Sequence, residues 1–211
     1  IGWGLDFETL KDYGMEEIAH KRFLNDFFTG KTQGSVSRGE LYNDDPVTMD
    51  ARFCGTTASM CGIETALRED NAEKLEEAVR MLVQSGIPML YSGDEIAQLN
   101  DNHYKENPQK AEDSRYIHRG AFLWENAKKR KEKYSVEEIV FDSLAKLEKI
   151  RRNETVFDAK ADVYTYDVKE NKILGILRED ENTRFIALFN FGNEPRTAWM
   201  QEEGEFEDLF T

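Results

Sequence analysis

GIPMLYSGDEIAQLNDNHYKENPQKAEDSRYIHR, residues 86–119, is the stretch on which the reading of the fold turns. Its first part, Ile87 to Tyr91, is a short apolar run closed by Ser92, Gly93, Asp94 and Glu95. A run so short and so evenly apolar fits a strand buried on both faces better than an amphipathic helix. The polar segment beyond it, to Arg119, is longer than most connections, and long loops of this kind usually carry function. In a parallel α/β barrel, substrate binds at that end of a strand.

On the amino-terminal side, Asp70 to Gln84 reads as a helix. Leu75, Ala78, Val79 and Leu82 form one apolar face, and Asp70 with Glu73 has the spacing of a capping box. Ser85 and Gly86 stop it. On the other side, Ser135 opens a second helix. Glu138 completes its capping signal, Val140, Leu144 and Leu147 make its stripe, and Lys149, Arg151 and Arg152 suit the negative end of its dipole. The run AKKRKEK, 127–133, reads as a solvated face rather than a nucleic-acid patch.

After Asn153 the period becomes alternating. Val163 to Val168, Lys172 to Arg178, Arg184 to Phe191 and Arg196 to Met200 are rich in β-branched and aromatic residues, with polar turns between them. They predict an antiparallel sheet, with Trp199, Tyr164 and Phe191 expected in its core rather than as sugar platforms. Toward the start, residues 1–14 read as loop. Met15 to Phe28 reads as a helix with Ala19, Phe23 and Phe27 on one side, ended by Gly30, and 30–50 reads as loop.

Composition sets outer limits. The 211 residues, 39% hydrophobic and 11% aromatic, suffice for one large domain or two small ones with a real core. The 42 acidic and 28 basic residues give a net charge of -14, which opposes nucleic-acid backbones and anionic membranes but not a neutral sugar. No stretch reaches the roughly 18 apolar residues of a membrane helix. With no secretory signal in view, the expected location is cytoplasmic. Cys54 and Cys61 read as small buried thiols rather than a disulfide: two helical turns would separate them by about 10 Å, against about 6 Å for a bridge. His20, His103 and His118 form no ligand cluster with them, so neither metal nor cofactor is expected.

The string GIPMLYSGDEI resembles the segment at the eighth barrel strand of the α-amylase family, glycoside hydrolase family thirteen. The continuation LND and EDSRYIHR narrows the likeness to the amylosucrase and sucrose hydrolase branch, as does HKRFLNDFFTGKTQGSVSRG, residues 20–39. The resemblance implies an α/β fold: the carboxyl-terminal portion of a (β/α)8 barrel with a helical insertion, followed by an antiparallel β-sandwich. Residues 1–65 would be the insertion after strand seven, 66–154 the last helix–strand–helix part of the barrel, and 155–211 the sandwich. IGW at the start would directly follow a His-Asp-Asp triplet of the resembled enzymes, so that triplet has no counterpart here.

The implied activity is that of a retaining enzyme acting on sucrose or α-glucans. Its nucleophile and acid lie on strands four and five, so no catalytic residue is assigned in this chain, which is expected to be inactive alone. Arg115, in DSR, would close the bottom of the glucose pocket with an aspartate from an earlier barrel loop, or else pair with Asp113 or solvent. Arg52 would line the fructosyl side of a sucrose pocket, its planar fork suiting ring hydroxyls, or make a surface salt bridge. His20 and Arg38 are expected to hold helix and loop together, while Asp94, Glu95, Asp113 and His118 are expected to shape their loop. The family's His-Arg-Pro becomes His118, Arg119, Gly120 here. A lone barrel strand with bare edges also predicts cover by another copy, by rearranged helices or by the missing barrel half. A noncatalytic carbohydrate-binding or scaffold module is the alternative.

Overall fold

In the computed structural model, residues 5–84, 90–192 and 194–210 are described, apart from the side chains of 83 and 84. They form a mixed helix-and-sheet protein with two small antiparallel sheets, and no parallel barrel strand occurs among the described residues. The chain divides into two compact units, residues 1–142 and 143–211.

The amino-terminal unit begins with a helix that the loop reading of 1–14 misses: α1, Phe7–Asp12. Asp6 caps it, accepting the Thr9 backbone N–H at 3.2 Å and the Thr9 hydroxyl at 2.7 Å. Next comes α2, Glu17–Phe28, capped by Glu16 rather than starting at Met15. Gly30 stands in the left-handed conformation at φ 74°, and the Lys31 N–H reaches back to the Asp26 carbonyl at 2.8 Å. This is the helix stop expected of a glycine just beyond the last turn. The orphan carbonyls of Phe27 and Phe28 are taken by the hydroxyls of Ser35 and Ser37.

The segment read as loop contains a ribbon. Strands β1, Glu40–Tyr42, and β2, Arg52–Cys54, pair antiparallel with Tyr42 opposite Arg52 and Glu40 opposite Cys54. Alternation sends Leu41 and Phe53 to the other face, where Phe53 packs on Phe28 at 4.8 Å. Two short helices follow, α3 (Thr57–Cys61) and α4 (Ile63–Arg68), then α5, Ala72–Gln84. Ala78, Val79 and Leu82 of α5 are buried as the apolar stripe predicts. Its cap is Asn71, accepting from the Lys74 N–H at 3.0 Å. Asp70 lies one residue too early and adopts φ 49°, so the expected Asp70–Glu73 box does not form.

The strand predicted over Ile87 to Tyr91 lies largely outside the described residues. Leu90 and Tyr91 are exposed and belong to no described strand. From there the chain runs through three short 3-10 helices, Asp94–Ile96, Asn102–Glu106 and Ser114–His118, in keeping with an irregular segment. α6, Trp124–Lys129, enters the exposed basic run.

α7, Val136–Asn153, spans the division between the units. Ser135 accepts from the Glu138 N–H at 3.0 Å, and Glu138 reaches back to the Tyr134 N–H at 2.9 Å, one residue before the place a capping box requires. The carboxyl-terminal unit holds an antiparallel meander of β3 (Asp162–Tyr166), β4 (Ile173–Glu179) and β5 (Arg184–Asn190). Arg196 to Met200 is not a strand; the Trp199 N–H joins it to the Val168 carbonyl at 3.0 Å. Trp199 is 70% exposed, Phe191 58% and Tyr164 48%, so these rings are not core. The physical reason is that a three-stranded sheet has more apolar side chains than the described residues of this unit cover.

Candidate functional site

One of the two arginines singled out in the sequence lies over the ring of Tyr42, and the other is the cross-strand partner of that tyrosine. Arg52 is directly opposite Tyr42 in the β1–β2 register, which puts both side chains on the same face of the ribbon. The Arg115 guanidinium lies over the Tyr42 ring, 4.5 Å from its centroid. Tyr42 is the residue that sequence reasoning missed; three-residue strands are too short for alternation to reveal which partner it faces.

The Ser114–His118 turn is fixed against that ribbon. The Ser114 hydroxyl donates to the Leu41 carbonyl at 2.7 Å. Ile117, 1% exposed, forms a small core with Cys54 and Tyr104, and Tyr42 and Tyr116 pack against it. The Tyr104 hydroxyl donates to the Glu40 carboxylate, which also pairs with Lys105. Burial first, then this hydrogen bond, push the Tyr104 phenol well above its ordinary pKa, so it remains a donor at any ordinary pH. The Ile117 carbonyl accepts from the Asp101 N–H at 2.8 Å, and Gly120 sits where a Cβ would lie 3.0 Å from the Asp101 side chain. The glycine thus stands at a close approach between two arms of the loop.

Arg115 pairs with Asp113, one of the partners left open above. Its Nε donates to Oδ1 at 2.8 Å and its Nη2 to Oδ2 at 2.7 Å, a two-pronged contact. Of the five N–H donors of a guanidinium, three remain for other acceptors. The pair is neutral as a unit. The Arg52 side chain is exposed and has no hydrogen-bond or ion-pair partner among the described residues, and Arg119 adds a second cation near enough to help lower the Asp113 pKa. Such a set, with directional donors beside an aromatic ring, is chemically suited to a hydroxyl-bearing ligand.

The hydrogen bonds from Arg115 hold the Asp113 carboxyl down at about 2, against the ordinary 3.8. The folded-state value lies below the unfolded one, so the stabilisation is complete above about pH 4 and is lost as pH falls through about 2. An NMR titration of the Asp113 carboxyl carbon is expected to give a midpoint near 2. A midpoint near the ordinary value would show that the pair is absent in solution.

The remaining sequence candidates serve the loops. Asp94 accepts from the Tyr91 N–H at 3.0 Å and Glu95 from the Gly93 N–H at 2.8 Å. Arg38 donates to the carbonyls of Ser35 and Ser37. His20 stacks on Phe23, and His118 lies edge-on to Tyr91 with its Nδ1 unpartnered and its pKa lowered by burial. Neither of two shallow hollows, of about 360 and 420 Å³, includes Arg52 or Arg115. Among the described residues no group of three His, Cys, Asp or Glu could hold a metal ion, Cys54 and Cys61 are free thiols, and no helix is long and apolar enough to cross a membrane. No family model matches the chain.

Proposed function

We propose that the chain is the substrate-pocket part of a retaining α-glucoside-acting enzyme of the α-amylase family, amylosucrase-like, that cleaves or transfers glucose from sucrose or α-glucans. The observation that carries this reading is Arg115 lying over Tyr42 and braced by Asp113, with Arg52 the cross-strand partner of Tyr42. The barrel and the sandwich belong to the same proposal. In the reaction a carboxylate attacks the anomeric carbon, a carboxylic acid protonates the leaving oxygen, and the glycosyl enzyme passes its glucose to an acceptor or to water. Both carboxyl groups would come from strands four and five of a longer polypeptide. This chain contributes the donors: Arg115 to glucose hydroxyls, Arg52 on the fructosyl side.

The test is fructose release from sucrose. The chain alone is expected to release none, and a longer polypeptide carrying strands four and five is expected to release it. In that polypeptide Arg115→Ala should lower kcat/KM about 10- to 100-fold, the cost of losing charge-assisted hydrogen bonds. Arg52→Ala should raise KM for sucrose more than for an α-glucan. A longer polypeptide that acts on neither sugar would end the proposal.

The exposure of Trp199, Phe191 and Tyr164 favours a second reading, a noncatalytic carbohydrate-binding module in residues 155–211. Glucan titration separates the two, since tight binding localised to that segment supports the module and no binding supports the enzyme part.

A further inference from the structure

Lysine is almost never fully buried without a partner, yet Lys21 on α2 is 6% exposed, as is Asn25 one turn further on. Both reach the tip of the β1–β2 hairpin. The Lys21 ammonium contacts Asp50 at 2.7 Å and Glu17 at 2.5 Å, and it lies 4.8 Å from the centroid of the Phe7 ring. The Asn25 side-chain N–H donates to the Met49 carbonyl at 2.9 Å.

The tip is itself closed. The Asp45 N–H donates to the Asp50 carbonyl and the Met49 N–H to the Asp45 carbonyl, both at 2.8 Å. Asp45 Oδ1 accepts from the N–H groups of Val47 at 2.7 Å and Thr48 at 3.0 Å. Met49 is held at φ 59°, a conformation that a side chain such as methionine rarely adopts. A closed tip moves as one piece, so whatever grips Met49 and Asp50 also sets the strand that follows, and Arg52 is two residues on.

We propose that Lys21 and Asn25 are positioning residues: from α2 they clamp the hairpin tip and so fix where Arg52 stands beside Tyr42 and Arg115. The clamp is read from the contacts alone; its consequence for substrate rests on the proposed function. Asp50 and Glu17 are about half exposed, so they remain solvated if the ammonium is removed, and the fold has no reason to collapse. The contact with Asp50 is also the leading cause of the raised Lys21 pKa, so the ammonium is charged throughout the working range.

Amide hydrogen exchange on the whole chain tests the clamp. In Lys21→Met, and equally in Asp50→Asn, exchange at Met49 and Asp50 should quicken about five- to tenfold, as for a partly buried ion pair. Exchange at Ala66, on the far side of the ribbon sequence, should be unchanged. The double variant should be no faster than either single one, because both remove the same contact, and Lys21→Arg should restore most of the protection. Unchanged exchange in the single variants, or additive effects in the double variant, overturns the clamp. Should Lys21→Met not fold, Asp50→Asn alone decides the matter.

Sucrose kinetics of the longer polypeptide test the consequence. Lys21→Met should raise KM about fivefold with kcat nearly unchanged, since it shifts a binding group and not the chemistry. A loosened tip with KM unmoved overturns the positioning role. A wild-type polypeptide with no turnover overturns the functional reading, and the exchange result still decides the clamp.

Discussion

Replacing Ile117 by alanine is expected to lower the stability of the amino-terminal unit by about 2–5 kcal/mol. Ile117 is 1% exposed and sits between Cys54 of β2 and Tyr104 of the neighbouring turn, with Tyr42 and Tyr116 closing the cluster. The cost has two parts, the lost transfer free energy of the side chain and the cavity it leaves. That cavity cannot collapse easily, because its walls are tied by polar contacts: Ser114 to Leu41, Asp101 to the Ile117 carbonyl, and Tyr104 to Glu40. Urea unfolding followed by tyrosine fluorescence would measure the loss. The same variant should loosen the turn that carries Arg115, so the Asp113 midpoint should rise from about 2 toward 3.8. A loss below about 1 kcal/mol would show that the cluster is not the packing centre of the site.

The second large effect is expected at Asn100. Its side-chain N–H donates to the Arg38 carbonyl at 2.6 Å, and its carbonyl oxygen accepts from the Thr56 N–H at 2.8 Å. Its backbone N–H donates to the hydroxyl of Ser59, which in turn donates to the buried Glu64 carboxylate. One side chain thus ties the 86–119 segment to the loop before β1 and to the start of α3. Leucine has the same branched skeleton, a larger volume and neither polar atom. Asn100→Leu leaves two backbone groups unpaired, and at about 1–3 kcal/mol each the expected loss is about 2–4 kcal/mol with some room for water to recover part of it. Thermal unfolding of the variant beside Ser114→Ala would check this. Asn100→Leu should shift the midpoint further, since Ser114→Ala strands a single carbonyl.

Much of the fold is legible in the sequence where elements are long. α5 and α7 follow from their stripes because a helix of three or more turns repeats its period several times, and the strands of the meander follow from alternation over five to seven residues. The hairpin of β1 and β2 is not legible. Each strand is three residues long, and nothing local announces that the segments on either side of 43–51 pair. Asp70 and Asn71 are both good caps, and only the backbone decides which one the helix uses. α1 had a signal in Asp6 and Thr9, three residues apart, that the glycines upstream obscured.

The site divides along the same line. Arg115 and Asp113 are two residues apart, so their pairing is among the partners the sequence offers. The placing of Arg52 opposite Tyr42 depends on strand register, and the meeting of Arg115 with Tyr42 on a contact between segments more than seventy positions apart. Buried Lys21 is equally silent in the sequence, where it looks like one more charged residue on a surface helix.

The Asp113–Arg115 pair has a consequence for how such a protein can change over generations. Acid and base are encoded within three codons, so the guanidinium inherits its own brace. The pair travels as one unit, so a change that keeps Ser114 and Ile117 seated on the hairpin keeps the arginine aimed, and one that unseats them moves acid and base together.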